Sequence, residues 1–252
     1  MARFVVERSW DDLSERAREE LKIRVLDALG CALAAIEAPP VRAIRAVLDD
    51  FGGRPLCTLI GGGRTAPDRA ALYNGALVRY LDFNDSYFAP GETCHPSDNL
   101  APVLATAEYA DASGRELLTA LAVAYQVQCR LSDEAPVRAK GFDHTTQGAY
   151  AAAAGAAKAL RLDEAECANA IAIAGTALNP LRKTVQITLA RRERSVVLTV
   201  EDDGRGFSPA QVPIGRLGLV GMSESIASVN GALEIDSKRG AGTRLTVEIP
   251  LS

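Results

Sequence analysis

The chain has 252 residues, 48% of them hydrophobic and 24% charged, with a formal net charge of −4. That length serves one large domain or two small ones, and the composition is that of an ordinary globular protein. Neither the part before Lys183 nor the part after it carries the basic excess of a nucleic-acid binder, and no apolar run reaches membrane-spanning length, so neither nucleic acid nor membrane is an expected partner.

Trp10 to Ile36 reads as a long amphipathic helix, with Leu13, Ala17, Leu21 and Val25 on one stripe, Ser9 as N-cap and Pro39-Pro40 beyond its end. A second helix turns Ile44, Val47, Leu48 and Phe51 inward and closes at Gly52-Gly53. Cys57 to Ile60 reads as a short extended segment before Gly61-Gly62-Gly63, which lacks the lysine of a phosphate loop and reads as a turn. Pro67 to Tyr80 is helical. Leu81 to Pro96 is polar, aromatic and rich in turn formers. Helices resume at Asn99 to Ala110 and Glu116 to Arg130, where Ser113 and Glu116 have capping-box spacing. A second polar loop, Gly141 to Thr146, leads into the small-residue helix Gly148 to Leu160, and Asp163 and Glu166 start the next helix, ending at Leu178.

The character then changes. Around Thr176 to Val185 the alanine-rich helical pattern gives way to β-branched alternation in Val185, Ile187 and Leu189, the period of a half-buried strand. Opposite local preferences on the two sides, with Pro180 as a helix stop, indicate two unlike pieces joined near Arg182. Beyond the seam, strands are expected at Thr184 to Ala190, Val196 to Glu201, Ala232 to Ser237 and Thr243 to Leu251. A helix is expected at Leu217 to Val229, stopped by Asn230-Gly231. The five cysteines form no C-x-x-C pair, so neither a zinc knuckle nor a disulfide framework is implied, and a reducing cytoplasm is the expected compartment. Cys94 beside His95 lacks further ligands, and no metal site is expected there.

Asp82, Asp85, His95 and His144 are the localised acid/base candidates of the helical part, and they include both histidines of the chain. Eliminating water from a hydroxy acid needs a base for a carbon-bound proton and an acid for the leaving hydroxyl, which histidine and buried carboxylate supply near neutral pH. On pattern alone the plainer reading, turn and capping residues with a satisfied loop histidine, is favoured. However, Leu81-Asp82-Phe83-Asn84-Asp85-Ser86 followed by His95-Pro96-Ser97-Asp98-Asn99-Leu100 closely resembles the signature of the MmgE/PrpD family, which contains 2-methylcitrate dehydratase and cis-aconitate decarboxylase. Gly141 to Thr146 and Gly175 to Asn179 also look like family segments. The resemblance covers roughly residues 8 to 182. It implies an all-helical domain and a metal-independent site for a small polycarboxylate, lined by Asp82, Ser86, His95 and His144, with the histidines as acid/base groups. It also implies an active-site lysine and an α/β lid, and neither pattern follows Arg182.

Asp202-x-Gly204-x-Gly206 after a β run, Gly215-x-x-Gly218-x-x-Gly221 before a helix, and Gly240-x-Gly242-Thr243 before a last strand form an ordered set. The set resembles the ATP-binding domain of sensor histidine kinases and their Hsp90-like relatives, particularly kinases paired with NarL-type regulators, over about residues 183 to 252. The resemblance implies that Asp202 accepts the adenine amino group, that Gly204, Gly206, Gly218 and Gly221 admit the nucleotide, and that Thr243 lies beside the adenine. The family's preceding helix, whose asparagine holds Mg²⁺ and the phosphates, has no counterpart in register.

The expected fold is therefore a mostly α, MmgE/PrpD-like helical domain over residues 1–182 joined to a small α/β-sandwich fragment of the Bergerat ATP-binding type over residues 183–252, both incomplete. Three functional readings follow: a lyase-like protein acting weakly or not at all on a small polycarboxylate, a nucleotide-binding module taking ATP or ADP with Mg²⁺, and an inactive fusion of two partial domains. The lyase-like part needs no cofactor. The severed helical surface is expected to favour a homo-oligomer.

Overall fold

Small side chains at helical spacing let the N-terminal helices approach closely, and that packing dominates the first half of the molecule. A computed structural model describes residues 1–177, 185–202, 204, 206–208, 223 and 226–251. The chain divides into two compact units, Met1–Pro180 and Leu181–Ser252. The first contains α1 (Ala2–Glu7), α2 (Glu15–Ala34), α3 (Pro39–Phe51), α4 (Pro67–Tyr80), α5 (Leu100–Tyr109), α6 (Gly114–Glu134), α7 (Thr145–Ala159) and α8 (Glu164–Ala177). Two short antiparallel hairpins interrupt them, β1 (Cys57–Thr58) with β2 (Arg64–Thr65), and β3 (Tyr87–Ala89) with β4 (Glu92–Cys94).

One core gathers Ala28 and Ala32 of α2, Leu77 of α4, Leu100 and Val103 of α5 and Leu121 of α6. A second joins Val5, Val123, Val127, Ala154 and Ile171, from α1, α6, α7 and α8. Helix α6 contributes to both, so it is the spine of the unit. Close contact with α7 depends on Gly155, where an added Cβ would stand 2.5 Å from Cγ2 of Val103 and 3.0 Å from Cβ of Ala124. The capping box at the start of α6 forms as expected, with the Ser113 N–H donating to Glu116 at 2.8 Å and the Glu116 N–H donating to Ser113 Oγ at 3.3 Å.

Several local expectations change. The first long helix begins only at Glu15, capped by Ser14, because Ser9 and Asp12 instead close a separate 3₁₀ turn over Trp10–Asp12. Val47 and Phe51 of α3 face outward, while Val41 and Leu48 are buried, so the apolar stripe is narrower than the sequence suggests. Helix α1 and the β3–β4 hairpin had no clear periodic signal, being too short for one. The glycine triplet is a turn, with all three residues at positive φ and the Leu59 N–H donating to Gly63 at 3.0 Å.

The second unit holds β5 (Val185–Arg191), β6 (Ser195–Asp202), β7 (Ala232–Ser237) and β8 (Thr243–Pro250) in one antiparallel sheet of order β5-β6-β8-β7. Register places Ile187, Val200 and Leu245 side by side, and likewise Leu189, Leu198 and Val247, so one face is aliphatic. The adjacent positions Gln186, Glu201 and Arg244 lie on the other face, where Arg244 and Glu201 pair at 2.9 Å. The half-buried strand expected at the seam is more exposed than that, with Ile187 at 67% and Leu189 at 71%, because β5 is an edge strand. Most of the expected helix Leu217 to Val229 lies outside the described residues, as do Leu178 to Thr184 at the seam. Its end is visible, with Asn230 at φ +56° and the Gly231 N–H bonded to Ile226 O at 2.9 Å. A helical first part and a small sheet-bearing second part are thus the fold class read from the sequence. Among the described residues, no helix is long and apolar enough to cross a membrane.

The packing makes opposite predictions for two glycines. Gly155→Val should destabilise by about 1–3 kcal/mol through overpacking. Gly30→Ala, in the exposed interior of α2 with nothing within 4 Å of the added carbon, should stabilise by up to about 1 kcal/mol. Urea unfolding of both variants checks this, and a neutral Gly155→Val would contradict the packing described.

Candidate functional site

The polar stretch after α4 folds back on itself, because the hairpin β3–β4 returns the chain to the place it left. Asp82, at φ +57°, ends the helix in the left-handed region. Asn84 then donates to Ser97 Oγ at 2.8 Å and to Asp98 at 3.2 Å. The Asp85 carboxylate accepts the Ser97 N–H at 2.9 Å. The Asp85 carbonyl lies 2.9 Å from Nδ1 of His95, and Ser86 Oγ lies 3.3 Å from the same nitrogen. A carbonyl only accepts, so in the neutral ring Nδ1 carries the proton and Nε2 is left as a proton acceptor.

The second loop reaches the same place through Glu92. This carboxylate, on β4 with no exposed side-chain surface, accepts the N–H groups of Val137 at 2.9 Å and Arg138 at 3.1 Å. Nε of Arg138 at 3.2 Å and Nε2 of Gln147 at 3.3 Å complete its partners. The chain between α6 and α7 is therefore tied to β4, three residues before His95. His144, just before α7, meets His95 edge to face, with ring centroids 5.6 Å apart and planes at 65°.

Charge is arranged around this pair. Burial holds the Asp98 carboxyl above the usual carboxylate range, opposed by the nearby charges of Arg79, His95 and His144. For Asp143, burial acts upward but is outweighed by hydrogen bonds from the Thr145 N–H and hydroxyl, and the carboxyl is held low. Nδ1 of His144 lies 3.2 Å from Asp143 but off the direction of a hydrogen bond. It joins Thr146 Oγ1 and Gln147 Oε1 as buried polar atoms without hydrogen-bond partners, all at the start of α7.

Of the four residues expected at a polycarboxylate site, His95, Ser86 and His144 are brought together. Asp82 is exposed and pairs with Arg79, which in turn donates to Asn84 at 3.1 Å, so its link to the cluster runs through that arginine. Asp85, as the holder of His95, and Glu92, as the tie between loops, were not legible as such, since both act through backbone partners distant in sequence. Asp98 stands within the quoted signature but gave no sign that it is half-buried beside the pair. The third resembling segment is seen only in part; Gly175 packs under the Tyr150 ring, where an added Cβ would stand 2.3 Å away.

In the sheet unit, Asp202 ends β6 directly opposite Thr243 on β8. Oδ1 of Asp202 accepts the Gly204 N–H at 2.6 Å. A Cβ on Gly206 would collide with the Lys238 carbonyl at 1.9 Å, so glycine is required there by the β7–β8 turn itself. The Thr243 hydroxyl lies 2.9 Å from Ser237 Oγ. Gly218 and Gly221 lie outside the described residues. No group of three or more His, Cys, Asp or Glu side chains able to hold a metal occurs among the described residues.

Two family models match the chain. Residues 1–192 match the model of the MmgE/PrpD N-terminal domain, and residues 167–252 that of the histidine kinase-, DNA gyrase B- and HSP90-like ATPases. The two overlap over residues 167–192, most of α8 and all of β5, so each resemblance extends further than the sequence reading placed it. The 2-methylcitrate dehydratase of Escherichia coli K12 is 35% identical over 162 residues, covering 60% of this chain and 33% of that protein. The mitochondrial 2-methylcitrate dehydratase of Yarrowia lipolytica is 29% identical over 171 residues, covering 63% of this chain and 33% of that protein. The oxygen sensor histidine kinase NreB of Staphylococcus carnosus is 39% identical over 69 residues, covering 27% of this chain and 20% of that protein. The chain thus spans about a third of the length of the dehydratases it matches. Among solved structures, the histidine kinase domain from the Erythrobacter litoralis EL346 blue-light activated histidine kinase is 18% identical, covers 60% of this chain and 85% of that one, and overlays with a TM-score of 0.27, too slight a correspondence to locate residues.

The Glu92 tie has a pH signature. Burial acts to raise its carboxyl, but the hydrogen bonds from Val137, Arg138 and Gln147 and the Arg138 charge hold it below its ordinary value of 4.5. The stabilisation it gives is present above that unfolded-state value and is lost as pH falls through the lower folded value. Glu92→Gln should therefore cost about 1–3 kcal/mol at neutral pH. The difference from the parent chain should shrink below about pH 4.5. A difference undiminished at low pH in urea unfolding would contradict this.

Proposed function

The chain belongs to the MmgE/PrpD family, and on that premise we propose that its helical unit removes a carbon-bound proton from a small polycarboxylate such as 2-methylcitrate, with loss of water. The observation that carries this reading is the His95–His144 pair beside the half-buried Asp98. Nε2 of His95 takes the proton from carbon, and the electron pair left behind forms the carbon–carbon double bond. The adjacent carbon–oxygen bond breaks, and the hydroxyl leaves as water with a proton given by His144. Ser86 accepts from Nδ1–H of His95, which leaves its own hydroxyl proton to bond a substrate carboxylate. The unpartnered atoms Thr146 Oγ1 and Gln147 Oε1 are further polar contacts for the same ligand. Asp82 acts at one remove, by orienting Arg79. Self-association through the exposed Ile23, Leu26 and Leu33 of α2 belongs to the same proposal.

A second reading rests on the sheet unit. Its match to the histidine kinase-like ATPases and the Asp202–Thr243 register support binding of the adenine end of ATP or ADP. In this reading Asp202 accepts the adenine amino group, Gly204 and Gly206 shape the turn behind it, and Gly218 and Gly221 belong to the phosphate side.

Ultraviolet absorbance of the unsaturated product, with 2-methylcitrate and citrate as substrates, tests the first reading. His95→Asn and His144→Asn should each lower turnover by about 100-fold or more, the usual contribution of a positioned acid or base. Asp202→Asn should leave turnover intact while abolishing the rise in melting temperature with ADP. Undetectable turnover by the unaltered chain at high concentration would overturn the lyase reading and leave the inactive fusion, and turnover indifferent to both histidines would remove them from the mechanism.

A further inference from the structure

Two adjoining cavities lie away from the histidine pair, beside α1 and the 3₁₀ turn that follows it, with volumes of about 420 Å³ and 360 Å³. Arg8, Ser9 and Thr119 line both, so the two chambers share a wall.

The larger chamber is cationic. Arg8, Arg115, Lys158 and Arg161 line it against one carboxylate, Glu116. That carboxylate is already engaged by Arg161 at 2.7 Å and by the Ser113 cap. Arg115 lies over the Trp10 ring, 5.9 Å from its centre, and Lys158 donates to the Val6 carbonyl at 2.8 Å. Burial and the neighbouring Arg8 cation hold the Lys158 ammonium below its ordinary range, with Asp12 opposing them. The Arg8 Nε is buried without a hydrogen-bond partner, and the carboxylates of Glu7 and Asp12 approach its guanidinium only to 3.8 and 3.9 Å. Positive charge thus exceeds negative in a partly desolvated space, where an anion is worth more than at an open surface.

The smaller chamber has an apolar side of Phe4, Leu13, Leu21, Ala122 and Val123, with Gln126 among its polar lining. Its one carboxylate, Asp12, is occupied by the Ser9 N–H at 2.7 Å and the Ser9 hydroxyl at 3.0 Å. An apolar chamber opening beside a cationic one suits a ligand with the same two parts.

We propose that the paired cavities bind a single-chain amphiphile with an anionic head, an alkyl or acyl chain ended by phosphate or carboxylate. The head lies among Arg8, Arg115 and Lys158, and the chain runs along Phe4, Leu21 and Val123. Nothing in this site depends on the histidine pair or its chemistry.

Calorimetric titration of the full chain with octyl phosphate, octanoate, octanol and inorganic phosphate tests it. Octyl phosphate or octanoate should bind at least about tenfold more tightly than either octanol or inorganic phosphate, and the better of the two identifies the head group. Arg115→Gln, an exposed position, should weaken that ligand without changing the melting temperature. Ala122→Phe should weaken the same ligand by filling the apolar chamber, while leaving inorganic phosphate unaffected. Octyl ligands no tighter than inorganic phosphate and octanol, or binding unchanged in both variants, would overturn the proposal.

Discussion

The helical unit depends on one buried carboxylate. Glu92 has no exposed side-chain surface, and a charge in that position persists only if its oxygens are filled by donors. The donors come from Val137, Arg138 and Gln147, so satisfying Glu92 fixes the course of the chain between α6 and α7. Because Glu92 stands three residues before His95, and Gln147 three after His144, the same tie brings two distant loops to one place. The encounter of the imidazole rings is a consequence of that satisfaction rather than of any attraction between them.

A second layer of contacts sets the chemistry of the rings. Asp85 uses both its parts, the carboxylate on the Ser97 N–H and the carbonyl on His95, so the loop before the hairpin fixes the tautomer of the histidine after it. Asn84 and Arg79 extend the network to Asp98, whose burial favours its neutral form. At the start of α7, by contrast, three buried polar atoms lack partners, although native interiors seldom tolerate this. Satisfied contacts thus gather on one side of the histidine pair and unpartnered polar atoms on the other.

Much of this was legible in the sequence, for physical reasons that differ by element. The long helices α4, α6 and α7 and the strands β6 to β8 announce themselves through period and caps, which are local. The two histidines stood out as localised acid/base candidates in polar loops, but only the resemblance to the MmgE/PrpD signature favoured them over the plainer loop reading. Glu92 was read only as one more loop polar group, because its burial depends on Val137 and Gln147, far along the chain. The exposure of β5 was equally hidden, since edge position is a property of the sheet order and not of the strand. Asp82 was read from its motif position alone, which does not encode that its side chain turns outward to Arg79.

The two units follow different rules, one a packed set of helices with small-residue contacts, the other a sheet with an aliphatic and a polar face. The proposed chemistry of the helical unit rests on the geometry of the histidine pair. Long-range nitrogen–proton correlation spectra of the imidazoles, with ring-to-ring nuclear Overhauser effects, read that geometry directly. The expected result is His95 in the Nδ1–H form with cross-peaks to His144. An Nε2–H tautomer at His95, or two rings without mutual contacts, would contradict the site described.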